Sequence, residues 1–590
     1  MKSLFIKKAV HSLSIFAVNG IVCLLLLLAP SSVRAAYSIP VQVEAEDLLL
    51  SNGATVTTNV YGTEYPGYSG EGFVWVSNSG TLAFEVTITE KGMYELSTRC
   101  WMYLGEEGDT RLQAVTVNGK KIGDFYIPNK NEWIDFSFGF TFLEAGTAKI
   151  EIGTSGSWGF ILYDKVTFDH ADMPDLNISP ATCDPNATPE TKALKQYLTS
   201  VYGKFVISGQ QEIYGGGNDG NMELEFEYIY EKTGKYPAIR GFDLMNYNPL
   251  YGWEDSTTAR MIKWVRERNG IATASWHITV PQNFTNYTLG EFVDWQQCTY
   301  KPTASFKTAN CLNETTKEHA YLMMAIDSLA KQLLILQEAK VPVLFRPFHE
   351  AEGNNNTDGS GAWFWWGSGG AEVYKQLWRL LYTTLTEKYG LHNLIWEVNL
   401  YTYANSFEWY PGDDCVDIVG YDKYEGSPYT WETSAVTTVF LSLVNYTNDT
   451  KMVALTENDV IPDIQNIVNE GAWWLYFCPW YGEFLMSSRY NDPVLLNTIY
   501  NSEYVITLDE LPADLYTKSV NTVVNKRYTV YKRSEQPRTL LILNNSSSKQ
   551  LSGKRDFFSL SGRRADMKSR KILNKGIYIK RNRKNIGLRR

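Results

Sequence analysis

Between residues 189 and 515 eight short apolar runs alternate with amphipathic helical stretches, a pattern that few folds accept. The runs are KFVISGQ (204–210), PAIRGFD (237–243), IATASWH (271–277), VPVLFRPFHE (341–350), NLIWEVN (393–399), VDIVGYD (416–422), KMVALTE (451–457) and WWLYFCPW (473–480). Between them lie helical segments such as TTARMIKWVRERN (257–269), AYLMMAIDSLAKQLLILQEA (320–339) and AEVYKQLWRLLYTTLTEKYG (371–390). Strands buried on both faces of a parallel sheet read as nearly unbroken apolar runs. Eight of them with helices between predict a (β/α)8 barrel of the TIM type, hence an α/β fold.

In such a barrel the working side chains project from the C-terminal ends of the strands. Two of the runs stop at a glutamate, Glu350 and Glu457. Two carboxyls on one rim are what glycoside hydrolysis needs, one to protonate the leaving oxygen and one to act on the opposite face of the sugar. A strand can also end in Glu for structural reasons, for instance to pair with Arg346. The rim supplies further groups: Trp276-His277 at the end of the third run, His349 beside Glu350, Asp422 at the end of the sixth with Tyr424 beyond it, and Trp480 at the end of the eighth. Rings to stack on and donors to orient carboxylates are the furniture of a sugar site. The His349-Glu350 pair is not a zinc motif, because Gly353 stands where H-E-x-x-H needs its second histidine.

A chain of 590 residues exceeds one core and is expected to hold two or three domains. Its 18 Trp and 38 Tyr are many, and flat rings with polar tips suit pyranose faces. The net charge of −10 argues against nucleic acid as a partner. At the start, Lys2, Lys7 and Lys8 precede an apolar run over Ile21–Ala29 and then Val33-Arg34-Ala35-Ala36. That is a signal-peptide layout, with cleavage expected after Ala35 or Ala36, export to the periplasm, cell surface or medium, and no membrane span afterwards. Six cysteines remain after such cleavage; Cys298 with Cys311 would close a short loop, and no CxxC pair suggests structural zinc.

Residues 37–169 carry short alternating runs such as TLAFEVTIT (81–89), MYELSTRCW (93–101), QAVTVNG (113–119) and AKIEIGT (148–154), separated by Gly and Asn turns. They predict an all-β jelly roll or sandwich. The stretch 170–188, with Pro174, Pro180 and Pro185, reads as a linker to the barrel at 189–515. Residues 516–590 are basic and strand-poor. A basic tail can bind anionic surfaces; in an exported chain a small β-module or processing tail is the simpler expectation.

Taken together, SGQQE (208–212), RPFHE (346–350), WFWWG (363–367), WYPGDDCVDIVGYDKY (409–424) and ALTE (454–457) resemble glycoside hydrolase family 26, the retaining β-mannanases, over roughly 187–512. The resemblance implies double displacement with Glu350 as acid/base and Glu457 as nucleophile, and no cofactor for catalysis. It implies that His349 and Tyr424 adjust these carboxylates, and that His277, Trp363 and Trp480 line the subsite of the scissile sugar. One departure is the longer connection AEGNNNTDGSGA (351–362) before WFWWG, which is expected near the cleft on the leaving-group side. In the N-terminal region VEAED (43–47), GYSGEGFVWV (67–76) and SWGFILYDKVTF (157–168) resemble carbohydrate-binding modules of families 35 and 6. That likeness implies that Trp158 stacks on a sugar and that Glu44, Glu46 and Asp164 hold a structural Ca²⁺. The segments FFSLSGRR (557–564) and KGIYIKRNRK (575–584) look like part of a C-terminal sorting tail of Bacteroidota-type secretion.

The expected protein is thus a secreted, monomeric endo-β-1,4-mannanase acting on mannan, galactomannan or glucomannan, with an appended binding module. The alternatives are a family 26 enzyme for mixed-linkage β-glucan or β-1,3-xylan, and a non-catalytic polysaccharide-binding surface protein. Both glutamates together with Tyr424 speak for the enzyme.

Overall fold

The computed structural model describes residues 36–517, apart from 108, 155–158, 172, 177, 215–216, 355–356, 404 and 425–432, and four strands within the tail. The expected barrel forms. Its strands are β1 (Val206–Gln211), β2 (Ile239–Asp243), β3 (Ile271–Trp276), β4 (Val343–Pro347), β5 (Leu394–Asn399), β6 (Ile418–Lys423), β7 (Met452–Asn458) and β8 (Tyr476–Phe477). They pair in parallel in chain order, β8 returns to pair with β1, and a parallel bridge from Asn458 to Pro479 closes the ring. Every residue of β1, β3, β4, β5 and β7 is buried, as their unbroken apolar composition requires. The helical stretch expected over 371–390 is α-helical for Ala371–Thr383 and ends in a π turn, Thr384–Lys388.

One irregularity matters for the site. The β6–β7 register slips between Tyr421 and Asp422, so that Tyr421 faces Leu455 while Asp422 faces Glu457. The skipped residue, Thr456, donates its hydroxyl to Asp422 Oδ1 at 2.6 Å. Gly420 makes room for it, since a Cβ there would meet Thr456 Oγ1 at 2.6 Å. A bulge re-aims the side chains on either side of it, and here it puts Asp422 and Glu457 opposite each other at the barrel mouth.

The N-terminal region is the expected sandwich of two sheets. One runs Tyr37–Ser38, Thr81–Ile88, Gly146–Thr154, Thr110–Val117, Lys120–Pro128; the other runs Ile134–Leu143, Gly92–Met102, Ile161–His170, Phe73–Val76, Ala54–Thr57. Val86, Val115 and Ile150 of the first face Leu96, Val166 and Phe168 of the second across a dry core. The sandwich docks on the barrel. The Phe140 N–H donates to Thr438 Oγ1 at 3.1 Å and the Thr438 hydroxyl donates back to the Phe140 carbonyl at 3.0 Å. Tyr126 meets Tyr403 edge-on, centroids 5.6 Å apart.

Among the described residues of the stretch 170–188 there is no regular structure after His170, and the stretch is held against the barrel. Cys183 N–H donates to Asp417 Oδ1 at 2.9 Å, Asp184 pairs with His392 at 2.7 Å, and the Thr188 N–H reaches the His392 carbonyl at 2.8 Å. The cysteines from Cys100 onward are all free, so Cys298 and Cys311 do not form a disulfide. The tail is not strand-poor. Within it Arg564–Ala565, Asp556–Ser559, Tyr578–Asn582 and Asn585–Arg589 form an antiparallel four-stranded sheet in that order, and FFS of the expected sorting segment is one of its strands. The signal segment lies outside the described residues. Among the described residues no helix is long and apolar enough to cross a membrane.

Candidate active site

Glu457 sits near the end of β7, buried, and two donors serve its two oxygens. The Arg346 guanidinium, from β4, contacts Oε1, and the Tyr424 hydroxyl, just past β6, donates to Oε2 at 2.8 Å. Arg346 also pairs with Asp422 at 2.8 Å, so it bridges the two carboxylates that the bulge brings together. The structural pairing with Arg346 considered for a strand-end glutamate is made by Glu457; Arg346 pairs with Asp422 as well.

Glu350 lies three residues beyond β4, not at its end. Phe348 and Glu350 both adopt left-handed backbone, φ 52° and 51°, which is unusual away from glycine and clusters at working sites. The turn is pinned to β5 by the Glu350 N–H donating to Asn399 Oδ1 at 2.9 Å. The carboxylate accepts the Trp363 indole N–H at Oε2 and the Tyr401 hydroxyl at Oε1, each at 2.8 Å. The chain returns so closely that a Cβ on Gly367 would strike the Ala351 carbonyl, which seats WFWWG against Glu350.

Burial and the nearby Asp422 charge push both carboxyls above the usual carboxylate range. The two titrate as a pair. Within the pair the anion belongs on Glu457, because a guanidinium in direct contact stabilises a carboxylate more than the two neutral donors on Glu350 do. One protonated and one ionised carboxyl on a common rim, with rings around them, can protonate a glycosidic oxygen and attack an anomeric carbon.

His277 follows β3. Burial disfavours its charge, but Asp243, with Oδ2 at 2.5 Å from Nδ1, outweighs that and raises its pKa. His349 stands perpendicular to it with centroids 4.3 Å apart. Burial, Arg346 and His277 hold His349 well below the usual histidine range, so it is neutral. Its Nε2 lies 3.9 Å from Glu457 Oε1, and its Nδ1 is buried without a hydrogen-bond partner. Trp480 N–H donates to the Asn458 carbonyl next to Glu457, and its ring packs on Tyr481 at 4.6 Å. The structure therefore gathers Glu350, Glu457, His277, His349, Trp363 and Tyr424 into one cluster and brings Trp480 beside it. Sequence reasoning passed over Tyr401; its place two residues past β5 was the available signal.

Among the described residues, ligand atoms of His349, Asp422 and Glu457 lie within 4.8 Å of one another, close enough for a metal ion. Arg346 already supplies a cation to both carboxylates there. In the sandwich, Glu44, Glu46 and Asp164 converge on the loop Ser69–Gly72. Ser69 donates to Glu44 Oε2 and Asp164 Oδ1, Glu71 N–H donates to Glu46, and Arg99 lies 3.2 Å from Asp164 Oδ2. Glu46 Oε2 is buried without a hydrogen-bond partner, so oxygen donors for a hard cation are present. Trp158 lies outside the described residues.

The family model for glycosyl hydrolase family 26 matches residues 183–510, the whole of the barrel. The chain belongs to glycoside hydrolase family 26. A protein of Thermothelomyces thermophilus described as a mannan endo-1,4-β-mannosidase is 35% identical over 476 residues, 79% of this chain and 90% of that one. The crystal structure of a ruminal GH26 endo-β-1,4-mannanase is 49% identical with a TM-score of 0.69, covering 81% of this chain and 99% of that one. That of the Podospora anserina GH26-CBM35 β-(1,4)-mannanase is 33% identical with a TM-score of 0.52 and the same coverage. Both extend well beyond the barrel, and the second pairs family 26 with a family 35 module, as expected of the N-terminal sandwich here. The family 26 chain is a glycoside hydrolase.

Proposed function

We propose that this glycoside hydrolase is a secreted, monomeric endo-β-1,4-mannanase that cleaves mannan, galactomannan or glucomannan by retaining double displacement. The observation that carries the reading is the division of donors: Arg346 and Tyr424 on Glu457, Trp363 and Tyr401 on Glu350. Glu457, ionised, attacks the anomeric carbon while Glu350 gives its proton to the departing oxygen; water activated by Glu350 then releases the glycosyl group from Glu457. His277, His349, Trp363, Tyr424 and Trp480 surround the sugar at the cleavage point. The substrate class rests on the names of the relatives.

The test is a product profile on galactomannan, glucomannan, lichenan and β-1,3-xylan, with the anomer of the first product read by NMR. Glu457→Ala abolishes turnover, and azide restores it with inversion. Glu350→Ala keeps slow turnover of substrates with good leaving groups. The reverse pattern would exchange the roles, and hydrolysis of lichenan or xylan in place of mannan would overturn the substrate. For the sandwich we propose that Glu44, Glu46 and Asp164 hold Ca²⁺, and that Trp158 offers a stacking face. EDTA then lowers the melting temperature, and at a temperature where the sandwich stays folded and docked hydrolysis of soluble oligosaccharide continues; loss of hydrolysis there, restored by Ca²⁺, would refute this division.

A further inference from the structure

Two residues beyond Glu350, Glu352 is only 2% exposed. One of its oxygens accepts the backbone N–H of Tyr401, and Oε2 accepts the Ser406 hydroxyl at 2.6 Å. Ser406 Oγ in turn accepts the Tyr403 N–H at 2.9 Å. The titratable groups facing Glu352 are the phenols of Tyr374, Tyr403 and Tyr446, and among the described residues no cation pairs with it. Burial alone is enough to push its carboxyl up to about 7. A buried carboxyl without a cation is costly, and among the described residues every hydrogen bond it makes goes to Tyr401 or Ser406, the two ends of one short segment. That segment carries the hydroxyl that rests on Glu350. Glu352 itself belongs to the 351–362 connection that departs from the usual family length.

We propose that Glu352 is a positioning residue: by clamping the Tyr401 N–H and the Ser406 hydroxyl it holds the Tyr401 hydroxyl on Glu350 and so sets the acidity of that carboxyl. The inference rests on Glu350 as the acid/base. Tyr401 is fixed by its N–H on Glu352 at one end and by ring contacts with Trp363, Tyr403 and Tyr421 at 6.2, 5.7 and 5.7 Å. Its donated proton favours the Glu350 anion, so releasing it raises the Glu350 pKa. The charged and titratable groups acting on Glu350 otherwise are Arg346 on β4, Asp422 on β6, Tyr424 just after β6, Glu457 on β7, and Tyr403, which faces Glu352 as well.

The Trp363 indole N–H donates to Glu350, so its ¹H–¹⁵N resonance titrates with that carboxyl whatever the substrate. Expected in the full chain is an upward move of the midpoint by about 0.5–1 pH unit in Tyr401→Phe and in Glu352→Ala alike, with no further move in the double variant. Glu352→Gln keeps an acceptor for the Tyr401 N–H and stays near the wild-type midpoint. On mannan, Glu352→Ala lowers kcat about ten- to a hundredfold with little change in KM, and the alkaline limb of kcat/KM follows the NMR midpoint. A folded Glu352→Ala whose midpoint stays put while Tyr401→Phe moves it would overturn the clamp. Should Glu352→Ala not fold, Ser406→Ala removes one arm and is expected to shift the midpoint the same way by less; an unmoved midpoint there overturns it equally. Because the midpoint is read without turnover, a wild type inactive on mannan would sink the substrate reading and leave this test standing.

Discussion

Asp422 adds to burial in raising the two rim carboxyls without belonging to the two-carboxylate scheme. It faces Glu457 across the bulge, shares Arg346 with it, and its charge raises both Glu350 and Glu457. Replacing it by asparagine keeps an acceptor for Arg346, with the amide NH2 turned to the Thr456 hydroxyl oxygen, and removes the charge. Both carboxyls should then ionise at lower pH, and both limbs of the pH profile of kcat/KM should move down by on the order of one unit. Limbs that stayed in place would mean that burial alone raises the pair. At this scale the sequence was legible where a rim residue directly follows an apolar run, as with Glu457 and His277. It was silent on Tyr401 and Glu352, because their importance comes from a hydrogen bond made by another element. It could not say which rim glutamate takes Arg346, because that depends on β7 lying close to β4 across the barrel mouth.

The eight strands could be read from composition because both faces of each are buried, and apolar side chains are then the only ones that fit. Where the chain leaves the strands, that logic stops. The left-handed turn at Phe348 and Glu350 uses residues that seldom take that backbone, so no turn residue announces it. The connection 351–362 could be seen as long, but not as a packed wall; its packing depends on glycines at close approaches. Gly367 is one of these. A methyl there would strike the Ala351 carbonyl and sit 3.0 Å from the Ala362 Cβ, with neither free to yield. Gly367→Ala should therefore cost about 1–3 kcal/mol of stability by overpacking and loosen Trp363 on Glu350, lowering kcat more than it raises KM. A thermal melt and steady-state kinetics check this; a variant as stable and as active as the parent would mean that the connection gives way easily.

At the scale of the molecule, a sandwich and a barrel joined by a Pro-rich stretch suggest two bodies on a tether, a reading drawn from composition alone. The stretch is instead pinned to the barrel through Cys183, Asp184 and Thr188, and the sandwich touches the barrel directly. Gly139, at φ 76°, leaves room for the Thr438 side chain on the helix Thr437–Tyr446, and Thr438 exchanges two hydrogen bonds with the Phe140 backbone. Each such bond is worth about 1 kcal/mol, so this single side chain holds a substantial part of the docking. Thr438→Ala should leave each body folded but weaken their coupling. Calorimetry of the full chain is expected to show one concerted transition for sandwich and barrel, and in the variant a sandwich transition moved down by about 4–8 °C and separated from the barrel's. The contact of Tyr126 with Tyr403, next to Tyr401, means that kcat on soluble oligosaccharide should fall with it. Two independent transitions already in the parent, or a variant unchanged in both melting and kcat, would return the sandwich to the status of a tethered module.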